Sequence, residues 1–99
     1  MAQFIALLKR NVDQYPAEAF TAELLEAEAE RARRLYTEGH NRAIWGRGDV
    51  PGAVILIEAA SIDDAKAGLA SLPLIQRGML LIESLVPLVP YRGFAPRSA

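Results

Sequence analysis

The chain has 99 residues, 52% of them hydrophobic, and a formal net charge of −1, which fits one small domain spanning residues 1–99. The lack of a basic tract argues against a nucleic-acid partner, and no apolar run approaches the roughly 20 residues of a membrane span. With no cysteine, one histidine and no secretion-signal pattern at the amino terminus, we expect a cytoplasmic protein without disulfides, metal or cofactor.

The first three predicted elements are a strand, a helix and a strand. Residues 3–9 form a short apolar run of strand length. Residues 17–38 are rich in Ala, Leu, Glu and Arg, which favour a helix that Pro16 opens and Gly39 ends. Residues 41–47 are predicted to form the second strand.

The remaining elements are a strand, a helix and a strand. Residues 53–58 are rich in β-branched side chains and follow a turn that contains Gly and Pro. A capping box at Ser61 predicts a helix that runs to about Ser71. Residues 79–86 form the fourth strand, and residues 87–99, which include three prolines, are predicted to be an extended tail.

This order of elements predicts a ferredoxin-like α+β fold, βαββαβ, with a four-stranded antiparallel sheet. The strands are apolar on both faces, since Val54 and Leu56 alternate with Ile55 and Ile57. Two helices cover only one face of a sheet, so we predict that the other face packs against a second copy in a homodimer. The alternative is a curled sheet whose second face is covered by the tail.

Glu28 is the candidate acid–base residue. A helical residue turns ~100°, which places Glu28 near the middle of an apolar stripe that includes Leu24 and Leu35. Burial raises the pKa of a carboxyl group, which suits a general acid or base near neutral pH. The alternative is a structural role, in which Glu28 reaches a rim or pairs with Arg42 or Arg47.

Four residues around the second strand are candidates for substrate binding. Arg42 and Arg47 carry the guanidinium fork that suits a carboxylate, and strand alternation allows at most one of them to face the helices. His40 follows the glycine that ends the helix, and we expect it to be exposed to solvent. Trp45 is expected in the core or in an interface rather than against a ligand.

The stretch around the first predicted helix resembles muconolactone isomerase. The shared residues, in order, are Glu28, Arg34-Leu35, Glu38-Gly39 and Trp45. The Ser-Leu-Pro-Leu at positions 71–74 is similar to a Leu-Pro-Leu at the end of that family's second helix. The resemblance covers roughly residues 20–75 and, loosely, the rest of the chain.

The resemblance implies a dimeric α+β barrel, and in muconolactone isomerase itself dimers gather into a larger ring. It also implies a cofactor-free proton shift in a small unsaturated lactone of aromatic catabolism. An acid–base residue would remove a proton beside the lactone carbonyl and return it further along the conjugated system. Glu28 matches a family acid, and Arg42 matches a family arginine that could hold a carboxylate.

The chain departs from this family at three points, which leaves the small-molecule substrate open. Residues 75–79 replace a segment of the F-P-Y-M type, Asn41 stands in place of a tryptophan, and Val89-Pro90 replaces a His-Pro pair. Two other functions also stay open, because one fold hosts many activities. One is a cofactor-independent monooxygenase, which needs Trp, Tyr and His around an aromatic substrate, and the other is a non-catalytic binding module.

Overall fold

A computed structural model describes residues 1–94 of the chain. The elements in chain order are β1 Ala2–Arg10, α1 Ala22–Thr37, β2 Asn41–Gly46, β3 Gly52–Ala59, α2 Ile62–Ala70, α3 Pro73–Gln76 and β4 Leu80–Leu88, with 3-10 turns at Ala17–Ala19 and Arg92–Phe94. The predicted βαββαβ order is therefore confirmed. Residues 95–99 of the predicted tail lie outside the described residues.

The four strands form one sheet in the order β2-β3-β1-β4, and every pairing is antiparallel. β1 lies in the interior of the sheet between β3 and β4, while β2 pairs only with β3. This topology is the ferredoxin-like arrangement predicted from the element order.

One face of the sheet carries the core. Along β1 the buried side chains are Phe4, Ala6 and Leu8, and those of β3 include Ile55 and Ile57. They pack in one cluster with Leu35 of α1, Leu69 of α2 and Leu74 of α3. The helices therefore cover this face, as the alternation of the strands requires.

The opposite face, the open sheet face, is apolar but less covered. Its residues share a side because they are cross-strand partners, as in the pairs Leu7–Val54, Ile5–Leu56, Ile5–Val86 and Trp45–Val54. Trp45 is 53% exposed and Val86 46% exposed, whereas the other members of these pairs are half-buried. The expectation of two apolar sheet faces is thus confirmed.

The predicted helix 17–38 is divided in the structure. The buried Phe20 follows the 3-10 turn, and Thr21 caps α1 by accepting a hydrogen bond at Oγ1 from the Leu24 N–H, 3.2 Å away. Gly39, at φ +86°, ends α1 as predicted, because this conformation suits a residue without Cβ.

Two other features differ from the prediction. The second predicted helix ends at Ala70 with Ser71 as its C-cap, as predicted, but Pro73 then begins α3, a short helix that we did not predict. β4 continues to Leu88, two residues into the predicted tail, because Pro87 and Leu88 still pair with β1. Of the helices in this part of the chain, none combines the length and apolarity needed to cross a membrane.

Candidate functional site

A cleft of about 410 Å³ lies between α1 and the end of the sheet where β1 ends and β3 and β4 begin. Its apolar walls come from Leu25, Ala53, Leu74 and Leu80. Its charged side chains are Arg10, Glu28 and Arg47. The cleft is the open space between the first helix and the sheet that a catalytic role of Glu28 requires.

Glu28 is fixed by the amino terminus of α3. Its Oε1 accepts a hydrogen bond from the Leu74 N–H at 2.9 Å. The N-cap residue of α3, Leu72, has no side-chain cap, and Pro73 has no N–H, so the Leu74 amide needs an acceptor from elsewhere. Glu28 supplies this acceptor from α1 and is thereby held at the wall of the cleft.

The second carboxylate oxygen of Glu28 is free to meet a ligand. Among residues 1–94 Oε2 accepts no hydrogen bond. It is also absent from the fully buried polar atoms that lack a partner, so it is reachable from the surface. Burial raises the pKa of Glu28, while the hydrogen bond from Leu74 lowers it by less, so the pKa stands above its ordinary value. The carboxyl group is suited to exchanging a proton with a ligand.

Glu28 differs in this respect from its neighbours on α1. Glu26 and Glu30 are exposed, and both accept hydrogen bonds from the Arg33 guanidinium, at 2.7 and 2.8 Å. Glu28 is half-buried and takes part in no ion pair among the described residues. Its position within the apolar stripe therefore agrees with the helical periodicity, and the alternative of a pair with Arg42 or Arg47 is wrong.

Arg47 lines the same cleft, but each of its three guanidinium nitrogens already donates a hydrogen bond to a carboxylate. Its Nε and Nη2 donate to the two oxygens of Asp49 at 2.9 and 2.7 Å, and its Nη1 donates to Glu83 at 2.7 Å. Lys9 lies 3.9 Å from the same Glu83 carboxylate and completes what we call the Arg47 cluster. A substrate carboxylate would have to displace Asp49 or Glu83, so the geometry does not favour Arg47 as its ligand.

Arg42 and Trp45 do not line the cleft. Arg42 is exposed at an irregularity of β2 and borders a separate groove of about 320 Å³ with Tyr36 and Ile44. Trp45 lies on the open sheet face opposite Val54. Neither side chain is therefore placed to meet a ligand that contacts Glu28.

His40 is half-buried, and our expectation that it is exposed is wrong. Its Nδ1 lies 2.7 Å from Oδ1 of the buried Asn41, and Nε2 is buried without a hydrogen-bond partner in residues 1–94. The reason is Gly68 of α2, which packs so closely that a Cβ there would collide with the imidazole. His40 does not line the cleft.

Comparison with known proteins supports the resemblance at the level of the fold. No family model and no curated protein matches the chain. A crystal structure of muconolactone isomerase matches with a TM-score of 0.73 and 25% sequence identity, over 98% of this chain and 97% of that one. The chain has the fold of muconolactone isomerase. The resemblance first carried by residues 20–75 extends over nearly the whole length.

Arg10 is the charged residue of the cleft that neither the sequence patterns nor the resemblance to muconolactone isomerase predicted. Its Cζ lies 4.4 Å from the ring centroid of Phe20, and it forms no ion pair among residues 1–94. Strand alternation is the signal that could have found it, because it places Arg10 on the same side of β1 as the buried Ala6 and Leu8, whereas its nearness to Glu28 depends on the tertiary fold.

The residues of the cleft give no indication of a metal site. Within residues 1–94 no group of three or more His, Asp or Glu side chains could hold a metal ion. The side chains that line the cleft offer one carboxyl group, two guanidinium groups and apolar walls.

Proposed function

We propose that this protein is an isomerase that moves a proton between two carbon atoms of a small unsaturated lactone or organic acid. The observation that carries the proposal is Glu28, which lines the cleft with its Oε1 held by the Leu74 amide and its Oε2 without a hydrogen bond among residues 1–94. A volume of about 410 Å³ falls in the range of small-molecule sites, ~300–1,000 Å³. The fold shared with muconolactone isomerase supports the same reaction class.

The reaction needs only one acid–base group. The ionised Glu28 takes a proton from a C–H bond of the substrate, and the electron pair of that bond delocalises through the double bond onto the carbonyl oxygen. Protonated Glu28 then returns the proton to another carbon of the same conjugated system, so the double bond moves. Substrate and product have the same atoms and electrons, and no oxidant or reductant takes part.

The surroundings of Glu28 suit this proton transfer. A carboxyl group of ordinary pKa is a weak base towards carbon, and burial makes it stronger by raising that pKa. The Leu74 amide fixes the carboxylate, which limits the loss of orientation when the substrate binds. The apolar side chains of Leu25, Leu74 and Leu80 offer contact surface to the uncharged part of the substrate.

The monooxygenase alternative finds less support in this cleft. That reaction requires Trp, Tyr and His side chains around the substrate, and none lines the cleft within the described residues. A binding module would use the same cleft without turnover, so a kinetic measurement separates it from an isomerase.

Conversion of muconolactone, followed by ultraviolet absorbance, tests the proposal on Glu28→Gln. The carboxamide oxygen of the glutamine side chain can still accept the Leu74 N–H, so we expect the fold to persist while turnover falls ~10²–10⁴-fold. Glu30→Gln is the matched control, because it removes an exposed carboxylate of the same helix and should leave turnover unchanged. Unchanged turnover in Glu28→Gln would refute the catalytic assignment, and binding without turnover in the wild type would indicate a binding module.

We also propose that the protein functions as a homodimer formed through the open sheet face. Side chains such as Trp45 and Val86 are exposed there beside half-buried apolar neighbours, which is unusual for a monomer. Sedimentation at micromolar concentration should give a dimer for the wild type and for Val12→Glu, whose side chain is exposed outside this face. Val86→Glu should sediment as a monomer, whereas a folded wild-type monomer would refute the proposal.

A further inference from the structure

We propose that Arg10 is the residue that binds the carboxylate of the substrate and so selects for acids. The inference rests on the proposed function, since it concerns the same cleft. It is carried by three observations: Arg10 lines the cleft with Glu28, stacks on Phe20, and has no carboxylate partner among residues 1–94.

Arg10 is held in place without using its side-chain donors. Its backbone N–H donates to the Pro51 carbonyl at 2.9 Å, and in the sheet it is the partner of Leu80 on β4. Its guanidinium lies 4.4 Å from the centroid of the Phe20 ring, a cation–π contact. A contact with an aromatic ring does not use the N–H donors, which stay available for a carboxylate.

The second arginine of the cleft provides the contrast. Arg47 directs its donors to Asp49 and Glu83, so a ligand would compete with two bound carboxylates. Arg10 has no such competitor in the described part of the chain. A ligand carboxylate that enters between apolar walls loses hydration, and this loss is costly unless a cation compensates it.

The positions of Arg10 and Glu28 orient the ligand. Arg10 is the last residue of β1, whereas Glu28 lies on α1, and no ion pair joins them within 4.0 Å. Both residues line the cleft, so a ligand bound there places its carboxylate at the Arg10 guanidinium and a C–H bond at the Glu28 carboxylate. This arrangement selects small acids that carry the reactive C–H bond at a distance from the carboxylate.

A comparison of muconolactone with its methyl ester tests the role of Arg10 in turnover. Arg10→Gln should raise KM for the acid roughly 10- to 100-fold, the range expected for losing hydrogen bonds to a charged group, with little change in kcat. KM for the ester should be the same in both proteins. Arg92→Gln is the control, because it removes an exposed arginine that does not line the cleft and should leave both KM values unchanged.

A binding measurement separates this inference from the proposed function. The probe is the saturated analogue of muconolactone, which keeps the carboxylate but has no double bond to move, titrated by calorimetry. Wild type and Glu28→Gln should bind it, and Arg10→Gln should bind it roughly 10- to 100-fold more weakly. If wild type binds the probe without isomerising muconolactone, the proposed function fails while the role of Arg10 stands.

Three results would overturn the role of Arg10. They are equal binding of the probe by wild type and Arg10→Gln, no binding by wild type, and a fall in kcat at unchanged KM. The last would place Arg10 at the charge that develops on the carbonyl oxygen rather than at the substrate carboxylate. Arg10→Met, which keeps an aliphatic stem against Phe20, repeats the measurement should Arg10→Gln not fold.

Discussion

In the Arg47 cluster each charged side chain has an opposite charge within 4.0 Å, whereas Glu28 and Arg10 in the cleft have none among residues 1–94. The cleft residues are held by uncharged groups instead, Glu28 by a backbone amide and Arg10 by an aromatic ring. An uncharged partner fixes the position of a charged group without neutralising it. The charges of Glu28 and Arg10 therefore stay available for a ligand, while those of the Arg47 cluster are paired with one another.

The two carboxylates that anchor this comparison have pKa values shifted in opposite directions. The hydrogen bonds from Arg47 lower the pKa of Asp49 to about 2, which keeps it ionised. Burial raises the pKa of Glu28 above its ordinary value of 4.5, which brings it towards the pH of the cell. The first shift is expected of a structural carboxylate, and the second of one that exchanges protons.

The largest effect on stability is expected from Glu28→Ala. This change leaves the Leu74 N–H without its acceptor near the buried start of α3, at a cost of about 1–3 kcal/mol in the free energy of unfolding. Glu28→Gln keeps an acceptor and should lose much less. Chemical denaturation of the two variants measures the difference, and equal losses would mean that the hydrogen bond to Leu74 does not hold Glu28.

A smaller effect is expected from Arg47→Gln, which breaks the ion pairs of the Arg47 cluster. It should lower the thermal midpoint, because Asp49 loses its partner and Glu83 keeps only Lys9. KM for muconolactone should change by less than about twofold, since a ligand would have to compete with Asp49 and Glu83 for the Arg47 guanidinium. A rise in KM as large as that of Arg10→Gln would show that Arg47 also binds the substrate and would contradict the different roles given to the two arginines.

The sequence was informative wherever local periodicity decides the structure. The order of the elements, the two apolar sheet faces and the orientation of Glu28 follow from patterns within single strands and helices. α3 was missed because four residues are too few for a helical period to appear. The exposure of His40 was misjudged because its neighbour Gly68 lies in a helix formed later in the chain.

The roles of the arginines depended partly on contacts that a local pattern does not contain. The sequence suggested Glu28 as a partner of Arg47. The structure instead pairs Arg47 with Asp49, two residues away, and with Glu83, which is 36 residues away on β4. Arg10 attracted no attention, because it lies just beyond the predicted strand 3–9, and its contact with Phe20 and its place in the cleft arise only in the folded chain. The residue type predicts which side chains can bind a carboxylate. The fold determines which of them has N–H donors that no carboxylate of the protein already occupies.

A third prediction concerns stability above the ordinary pKa of Glu28. Because the pKa in the folded state is raised, the folded chain binds more protons than the unfolded chain between pH 4.5 and the raised value. The contribution of Glu28 to stability is therefore fully present below pH 4.5 and is lost as the pH rises through the folded-state pKa. Unfolding free energies measured between pH 4 and 8 should fall more steeply for wild type than for Glu28→Gln, and parallel curves would contradict a raised pKa.

The smallest effect is expected at Asp49, and its sign is opposite. Its folded-state pKa of about 2 lies below the ordinary 3.8, so the stability it contributes is present above pH 3.8 and is lost as the pH falls through 2. Asp49→Asn should therefore lower the thermal midpoint at neutral pH, and the difference between the midpoints of the two proteins should decrease as the pH falls.

The Asp49 side chain is 65% exposed, so added salt should decrease this difference further by screening the ion pair with Arg47. Thermal midpoints of both proteins between pH 2 and 7, at low and high salt, measure this gap. A gap that is independent of pH and salt would contradict a stabilising role of the Asp49 charge, because the asparagine Oδ1 can still accept the hydrogen bond from the Val50 amide.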